Sequence, residues 1–291
     1  STSRRQRQMC IRDRNEGVLH DVSVHIRPGE MLAVVGPSGG GKSTLCQLIP
    51  RFYEVSEGAI RIDGEDVRSF TQSSLHRAIG IVQQDVFLFA DTVRENIRYG
   101  RPDATDEEIV EAAKRAEIYD DIMAMPHGFD TYVGERGTML SGGQKQRVSI
   151  AGVLAMHPKC IVLDEPTAML DPNGRKDVIR AARALNDVEN VTIILITHYM
   201  EEVIYADRVF VMDEGKVVMQ GTPREIFSQV ERLKHLRLDV PQVTLLAYEL
   251  QKSGLKLPDG ILTAQELTEE LKKLCTGSKT GASDNRQMPV K

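Results

Sequence analysis

The chain has 291 residues, 41% of them hydrophobic, and a formal net charge of −5; that is enough for one large or two small domains with an apolar core, and it offers no overall attraction to nucleic acid. Its longest strongly apolar stretch, Val191 to Ile196, is far below the roughly 20 residues of a membrane-spanning helix. The arginine-bearing start lacks the apolar run of a secretory signal, and the scattered Cys10, Cys46, Cys160 and Cys275 contain no C-x-x-C pair; a reduced, cytosolic protein without a zinc site or disulfide framework is expected.

In chain order, Arg4, Arg5, Arg7, Arg12 and Arg14 come first, without periodicity. The string RQRQMCIRDR from Arg5 to Arg14 resembles a translated sequencing adapter, and residues 1–16 are expected to stand outside the fold as a non-native or disordered arm. Val22 to Ile26 alternates like a strand, and Met31 to Val35 is short and apolar, like a buried strand. Ala59 to Asp63 lies between Gly58 and Gly64, and Gly80 to Gln83 reads as a further strand. Thr105 and Glu108 form a capping box, followed at helical spacing by Ile109, Ala112, Ala113, Ala116, Tyr119, Ile122 and Met123. Ser141 can cap a helix from about Gly143 to Met156, which stops before Pro158. The strands Cys160 to Leu163 and Val191 to Thr197 flank a helical stretch, Asp177 to Leu185, a rhythm that implies a parallel sheet. Val209 to Met212 and Val217 to Met219 flank Asp213-Glu214-Gly215-Lys216 as a hairpin. Beyond Gly221, Thr222-Pro223, Pro241 and the Thr263/Glu266 box start helices, whereas residues from Thr276 onward lack an apolar pattern.

The chemistry is concentrated in a few strings. Gly36 to Thr44 reads GPSGGGKST and fits the G-x-x-x-x-G-K-[ST] phosphate loop between a strand and a helix. Gly36, Gly39, Gly40 and Gly41, with Pro37 and Ser38 between them, leave room for phosphate against bare backbone, and the amides from Gly39 to Thr44 can converge on one anion. Lys42 supplies a positive charge and Ser43 a hydroxyl for Mg²⁺. Ile161 to Glu165 is an apolar strand ending in two carboxylates, where sheets of this type bind ligands. Asp164 suits Mg²⁺, directly or through water, and Glu165 suits orienting or deprotonating an attacking water. Leu140-Ser141-Gly142-Gly143-Gln144 opens a helix with a hydroxyl and two glycines, a second anion-binding terminus.

This order of motifs resembles the ATPase subunits of ABC transporters, over about residues 17–221. The resemblance implies a P-loop NTPase of ABC type: an α/β fold with a mostly parallel core sheet, an antiparallel β subdomain, a helical subdomain inserted at about 85–157 and a helical extension at 222–275, with residues 276–291 a disordered tail. It implies ATP and Mg²⁺, and a head-to-tail homo- or heterodimer in which Ser141 to Gln144 of one subunit complete the site of the other. Gln84 matches the glutamine that senses Mg²⁺ and water, in a segment that meets the membrane partner. Ala168-Met169-Leu170-Asp171 matches the D-loop across the dimer, and His198 the switch histidine at the γ-phosphate. Separate transmembrane subunits and residence at the cytoplasmic face of the cell membrane follow, with no nucleic-acid partner.

Residues 17–140, with VQQDVFLF at Val82 to Phe89 and ENIRYG at Glu95 to Gly100, are similar to ABC exporter domains. Residues from about 151 to 275, with DEPTAMLDP at Asp164 to Pro172 and LDVPQV at Leu238 to Val243, are similar to energy-coupling-factor importer ATPases. The words SGGQKQRV bridge the two, as in a mosaic joined at a common motif. An importer ATPase for vitamins or metal ions is the leading reading; an exporter domain, an uncoupled ATP-binding chimera and an ATP-switched interaction protein are its rivals. One departure concerns the base: the family places an aromatic residue about thirty positions before the phosphate-loop lysine to stack on adenine, and here no aromatic precedes Phe52. Weakened ATP affinity is expected.

Overall fold

A computed structural model describes residues 7–12, 18–168 and 170–277 of the chain. Strands β1 (Arg7–Arg12) and β2 (Val22–Ile26) pair antiparallel, and the alternating burial of Val22, Val24 and Ile26 gives β2 one face on the core. β3 (Met31–Val35) is buried at every position, as a strand covered on both faces must be, and it delivers the chain to Gly36 and helix α1 (Lys42–Leu48). β4 (Glu57–Ile62) and β5 (Glu65–Asp66) complete a four-stranded antiparallel sheet in the order β2-β1-β4-β5. Helix α2 (Gln72–Ala78) leads into β6 (Ile79–Val82).

Four helices follow before the next strand: α3 (Val93–Arg98), α4 (Asp106–Arg115), α5 (Tyr119–Met123) and α6 (Gly142–Ala155). α3 and α4 pack on α6 through one apolar cluster that includes Ile97, Ile109, Val148 and Leu154. β7 (Cys160–Asp164), α7 (Pro172–Glu189), β8 (Thr192–Ile196), the short α8 (Met200–Val203), β9 (Arg208–Asp213) and β10 (Lys216–Gly221) then complete the main sheet. Its order is β10-β9-β3-β8-β7-β6, parallel throughout except for the β9/β10 hairpin. β3, β8 and β7 are therefore neighbours, and the loops after all three open at the same edge.

Past Gly221 the chain forms α9 (Pro223–Phe227), α10 (Val230–His235), α11 (Gln242–Lys252) and α12 (Ala264–Gly277). Ala247, Leu257, Ile261 and Leu267 give this region a small core of its own. Arg224 ties it to α9, bonding the Gly260 carbonyl at 3.0 Å and Glu266 at 2.7 Å. Among the described residues, no helix is long and apolar enough to cross a membrane.

The structure departs from the sequence expectations in four places. Residues 7–12, assigned to an arm outside the fold, occupy the slot between β2 and β4; a strand ladder is made by backbone groups and asks little of side-chain identity. The helical spacing from Ile109 to Met123 is not one helix, because Glu117 adopts φ 55° and separates α4 from α5, leaving Met123 exposed. α7 begins five residues before the expected Asp177, since Asp171 caps it and Pro172 occupies its first turn. The backbone of α12 continues through Thr276 to Gly277, into the segment expected to be disordered, and residues 278–291 lie outside the described residues.

Candidate nucleotide site

The turn after β3 is shaped by what its glycines leave out. A Cβ on Gly36 would lie 2.0 Å from the Met212 carbonyl oxygen, and one on Gly41 would lie 2.5 Å from Leu19 Cδ2. Gly41 also has φ 93°, in the left-handed region that side chains disfavour. The loop thus wraps tightly around Lys42, which is buried and donates from Nζ to the carbonyls of Gly36 at 2.8 Å and Pro37 at 3.0 Å. Burial pulls the Lys42 ammonium below its usual pKa, against the opposing pull of Glu165 and Asp164. Ser38 and Gly39 are exposed on the loop's outer side, and Thr44 is half-buried in α1.

β7 brings the carboxylates to this loop. Ser43 Oγ donates to Asp164 Oδ1 at 3.3 Å, joining α1 to the end of β7. Burial raises the Asp164 carboxyl above its ordinary value; the Ser43 hydroxyl opposes the rise, the Glu165 charge adds to it, and Lys42 and His198 oppose it. Glu165 has φ 50°, a backbone conformation a non-glycine residue adopts at a cost of roughly 1–3 kcal/mol. Its N–H donates to the Ile196 carbonyl at 3.0 Å, which pins the turn to the end of β8. His198, two residues beyond β8, meets Glu165 with Nε2 2.7 Å from Oε1.

The remaining expected residues lie around this centre. Gln84 is exposed, two residues past β6, where buried Gln146 of α6 reaches the neighbouring Gln83 carbonyl at 3.5 Å. Ser141 caps α6 in a full capping box with Gln144, whose side-chain amide also donates to Asp121 at 3.1 Å. Among the described residues, no hydrogen bond or ion pair joins 141–144 to 36–44. Gly142 is exposed, and Gly143 abuts Leu170, whose Cδ2 would lie 3.8 Å from an added Cβ. Asp171 is exposed and caps α7 by accepting from the Gly174 N–H at 3.3 Å; Met169 lies outside the described residues. Sequence reading missed Thr167, Thr197 and Glu202, three buried polar residues joined by hydrogen bonds behind Glu165 and His198. The available signal was a threonine next to each motif.

Residues 19–168 match the family model described as "ABC transporter". The chain is 45% identical over 263 residues to the energy-coupling factor transporter ATP-binding protein EcfA1 of Clostridium novyi, covering 87% of this chain and 90% of that protein. It is 47% identical over 224 residues to a putative multidrug export ATP-binding/permease protein of Staphylococcus aureus; the match covers 77% of this chain and 38% of that longer protein. A solved structure of a bacterial Atm1-family ABC exporter with ATP bound superposes with TM-score 0.70 at 39% identity, covering 81% of this chain and 41% of that one. A phosphate loop, two strand-end carboxylates and a histidine meet at one sheet edge, in keeping with relatives that are ATP-binding proteins. The chain belongs to the ABC transporter family and is one of its ATP-binding, ATP-hydrolysing domains.

Proposed function

We propose that this chain energises transport through separate membrane subunits, as the ATPase of an energy-coupling-factor importer for vitamins or metal ions. One observation carries the catalytic part: Lys42, Ser43, Asp164, Glu165 and His198 converge where β3, β7 and β8 end. The importer assignment rests on the match to nine-tenths of EcfA1, a span longer than the catalytic domain alone.

The amides of residues 39–44 cradle the triphosphate, and Lys42 exchanges its two loop carbonyls for β- and γ-phosphate oxygens. Ser43 and Asp164 present hard oxygen donors side by side, with Gln84 as the third candidate ligand. Among the described residues, no cluster of three His, Cys, Asp or Glu is built to hold a metal; this suits Mg²⁺, which is held by one or two carboxylates together with substrate phosphates. When bound, Mg²⁺ neutralises charge developing on the β- and γ-phosphoryl oxygens. Glu165 takes a proton from the water that attacks the γ-phosphorus as the bond to the β,γ-bridging oxygen breaks and ADP leaves, and His198 holds the Glu165 carboxylate in place. Ser141 to Gln144 and Asp171, away from Lys42 within one chain, act across a dimer on the partner's nucleotide.

Contact with the membrane subunits runs through the segment after Gln84. Phe87, Phe89 and Tyr99 are exposed there; Phe87 meets Phe89 edge to face with centroids 5.2 Å apart, and Phe89 lies tilted against Tyr99 at 4.2 Å. Buried Asn96 holds Phe89 by bonding both its N–H and its carbonyl. An exporter domain is the second reading, favoured by the 47% identity to the multidrug export relative. Copurification of the tagged chain with membrane subunits, followed by their identification, distinguishes the two. Recovery with export permeases would overturn the importer assignment.

A further inference from the structure

Glu202 is an acidic residue in the four-residue helix α8, yet it is only 6% exposed. Burying a carboxylate is costly unless donors satisfy it, and here two do. The Thr167 hydroxyl donates to Oε1 at 2.7 Å and the Thr197 hydroxyl to Oε2 at 2.6 Å. Both threonines are essentially inaccessible, at 0% and 1%. They come from different segments: Thr167 stands two residues after Glu165, and Thr197 immediately precedes His198. The two oxygens of one carboxylate therefore clip together the segments that carry the proton acceptor and its histidine.

A second tie runs parallel to the first. Arg175 of α7 donates to the Leu170 carbonyl at 3.1 Å and to the Tyr199 hydroxyl at 2.8 Å, and its guanidinium lies 3.6 Å from the Tyr199 ring centroid. The Tyr199 N–H closes the circuit on Thr197 Oγ1 at 3.0 Å. The segment after Glu165 and the segment holding His198 are thus fastened at both ends.

We propose that Glu202 is a positioning residue for ATP hydrolysis: by gripping Thr167 and Thr197 it fixes the approach of His198 to Glu165. The inference rests on the roles proposed above for those two residues. Glu202 is buried and its carboxylate bonds Thr167 and Thr197, not a residue of the phosphate loop, so its effect falls on turnover and not on ATP binding, which that loop supplies. A misplacement of about 1 Å in such a constellation can cost on the order of a hundredfold in rate.

The test uses the full chain with Mg-ATP, measuring kcat, KM and thermal unfolding for Glu202→Ala and Glu202→Gln in wild-type and His198→Ala backgrounds. Glu202→Ala is expected to lower kcat by about ten- to a hundredfold with KM within about twofold of wild type. Glu202→Gln, which keeps one acceptor oxygen, is expected to fall between the two. In the His198→Ala background either substitution should cost less than about twofold, because residues acting as one unit are not additive. An equal fold-loss in both backgrounds would show a merely structural role and overturn the proposal. Should Glu202→Ala fail to fold, Glu202→Gln carries the same comparison. Turnover that survives His198→Ala would overturn the reading of His198 itself, and with it this coupling. Turnover lost in His198→Ala but undiminished in both Glu202 variants would overturn the coupling alone.

Discussion

Glu165 and His198 leave different strands, yet their side chains meet at 2.7 Å, Oε1 to Nε2. The sheet accounts for this: Asp164 is in register with Ile196 on the adjacent parallel strand, so the residues just beyond each strand emerge side by side. The turn that presents Glu165 has φ 50° and is held by its own N–H on the Ile196 carbonyl. The strained backbone sits at the residue assigned the proton transfer.

Replacing that carboxylate by its amide removes the proton acceptor with little change of shape. Glu165→Gln should lower ATP turnover by at least about a hundredfold, the usual scale of general-base catalysis, while leaving ATP binding intact. Phosphate release and a nucleotide titration measure the two effects. Unchanged phosphate release would remove Glu165 from the mechanism.

Two phosphate-loop glycines differ in a way that separates backbone conformation from crowding. Both have positive φ, 93° at Gly41 and 79° at Gly39, but only at Gly41 would a Cβ collide, 2.5 Å from Leu19 Cδ2, whereas Gly39 has nothing within 4 Å. Alanine at either position costs the left-handed penalty of about 1 kcal/mol, and Gly41→Ala adds overpacking of about 1–3 kcal/mol. Denaturant unfolding should therefore rank Gly41→Ala below Gly39→Ala. Equal losses would contradict the geometry.

Stability should depend on pH through Glu202. Burial raises its carboxyl above the ordinary 4.5, with the hydroxyls of Thr197 and Thr167 and the Arg175 charge pulling down and Glu201 adding to the rise. Between the unfolded and folded values the native state holds the extra proton, so this contribution is full below 4.5 and is lost as pH rises through the folded value. Glu202→Gln lacks it. Denaturation of both proteins from about pH 4 to about pH 8 should show wild type losing ground to the variant as pH rises. Parallel curves would rule the linkage out.

Adenine recognition gives a gain-of-function test. Arg12, the last residue of β1, stands about thirty positions before Lys42, where the family carries its stacking aromatic. Arg12→Tyr should tighten ATP by about tenfold, the scale of one base-aromatic stack of about 1–3 kcal/mol. The gain should be absent for triphosphate without a base. Equal effects on both ligands would mean that Tyr acts on the loop and not on the base.

Much of the site was legible because its parts are strings with fixed local geometry. GPSGGGKST follows a strand whose five residues are all buried, and a strand covered on both faces has no polar alternation to obscure it. The carboxylates at Asp164 and Glu165 were equally plain at the end of an apolar run. Glu202 was not, since its partners Thr167 and Thr197 are ordinary residues whose meeting depends on strand order and on the turn at Glu165. The break at Glu117 was hidden by apolar spacing that continues in helical phase across it. β1 was hidden because its ladder is written in backbone amides rather than in side chains.

The central claim is that nucleotide bridges two chains, the phosphate loop of one facing the Ser141-capped helix of the other. Light scattering of Glu165→Gln, which binds ATP without consuming it, tests this most directly. At saturating Mg-ATP the mass should double from that of the 32.4 kDa chain, and Ser141→Arg should abolish the doubling while leaving nucleotide bound. A protein that stays monomeric with both of its ligands at saturation would contradict the account.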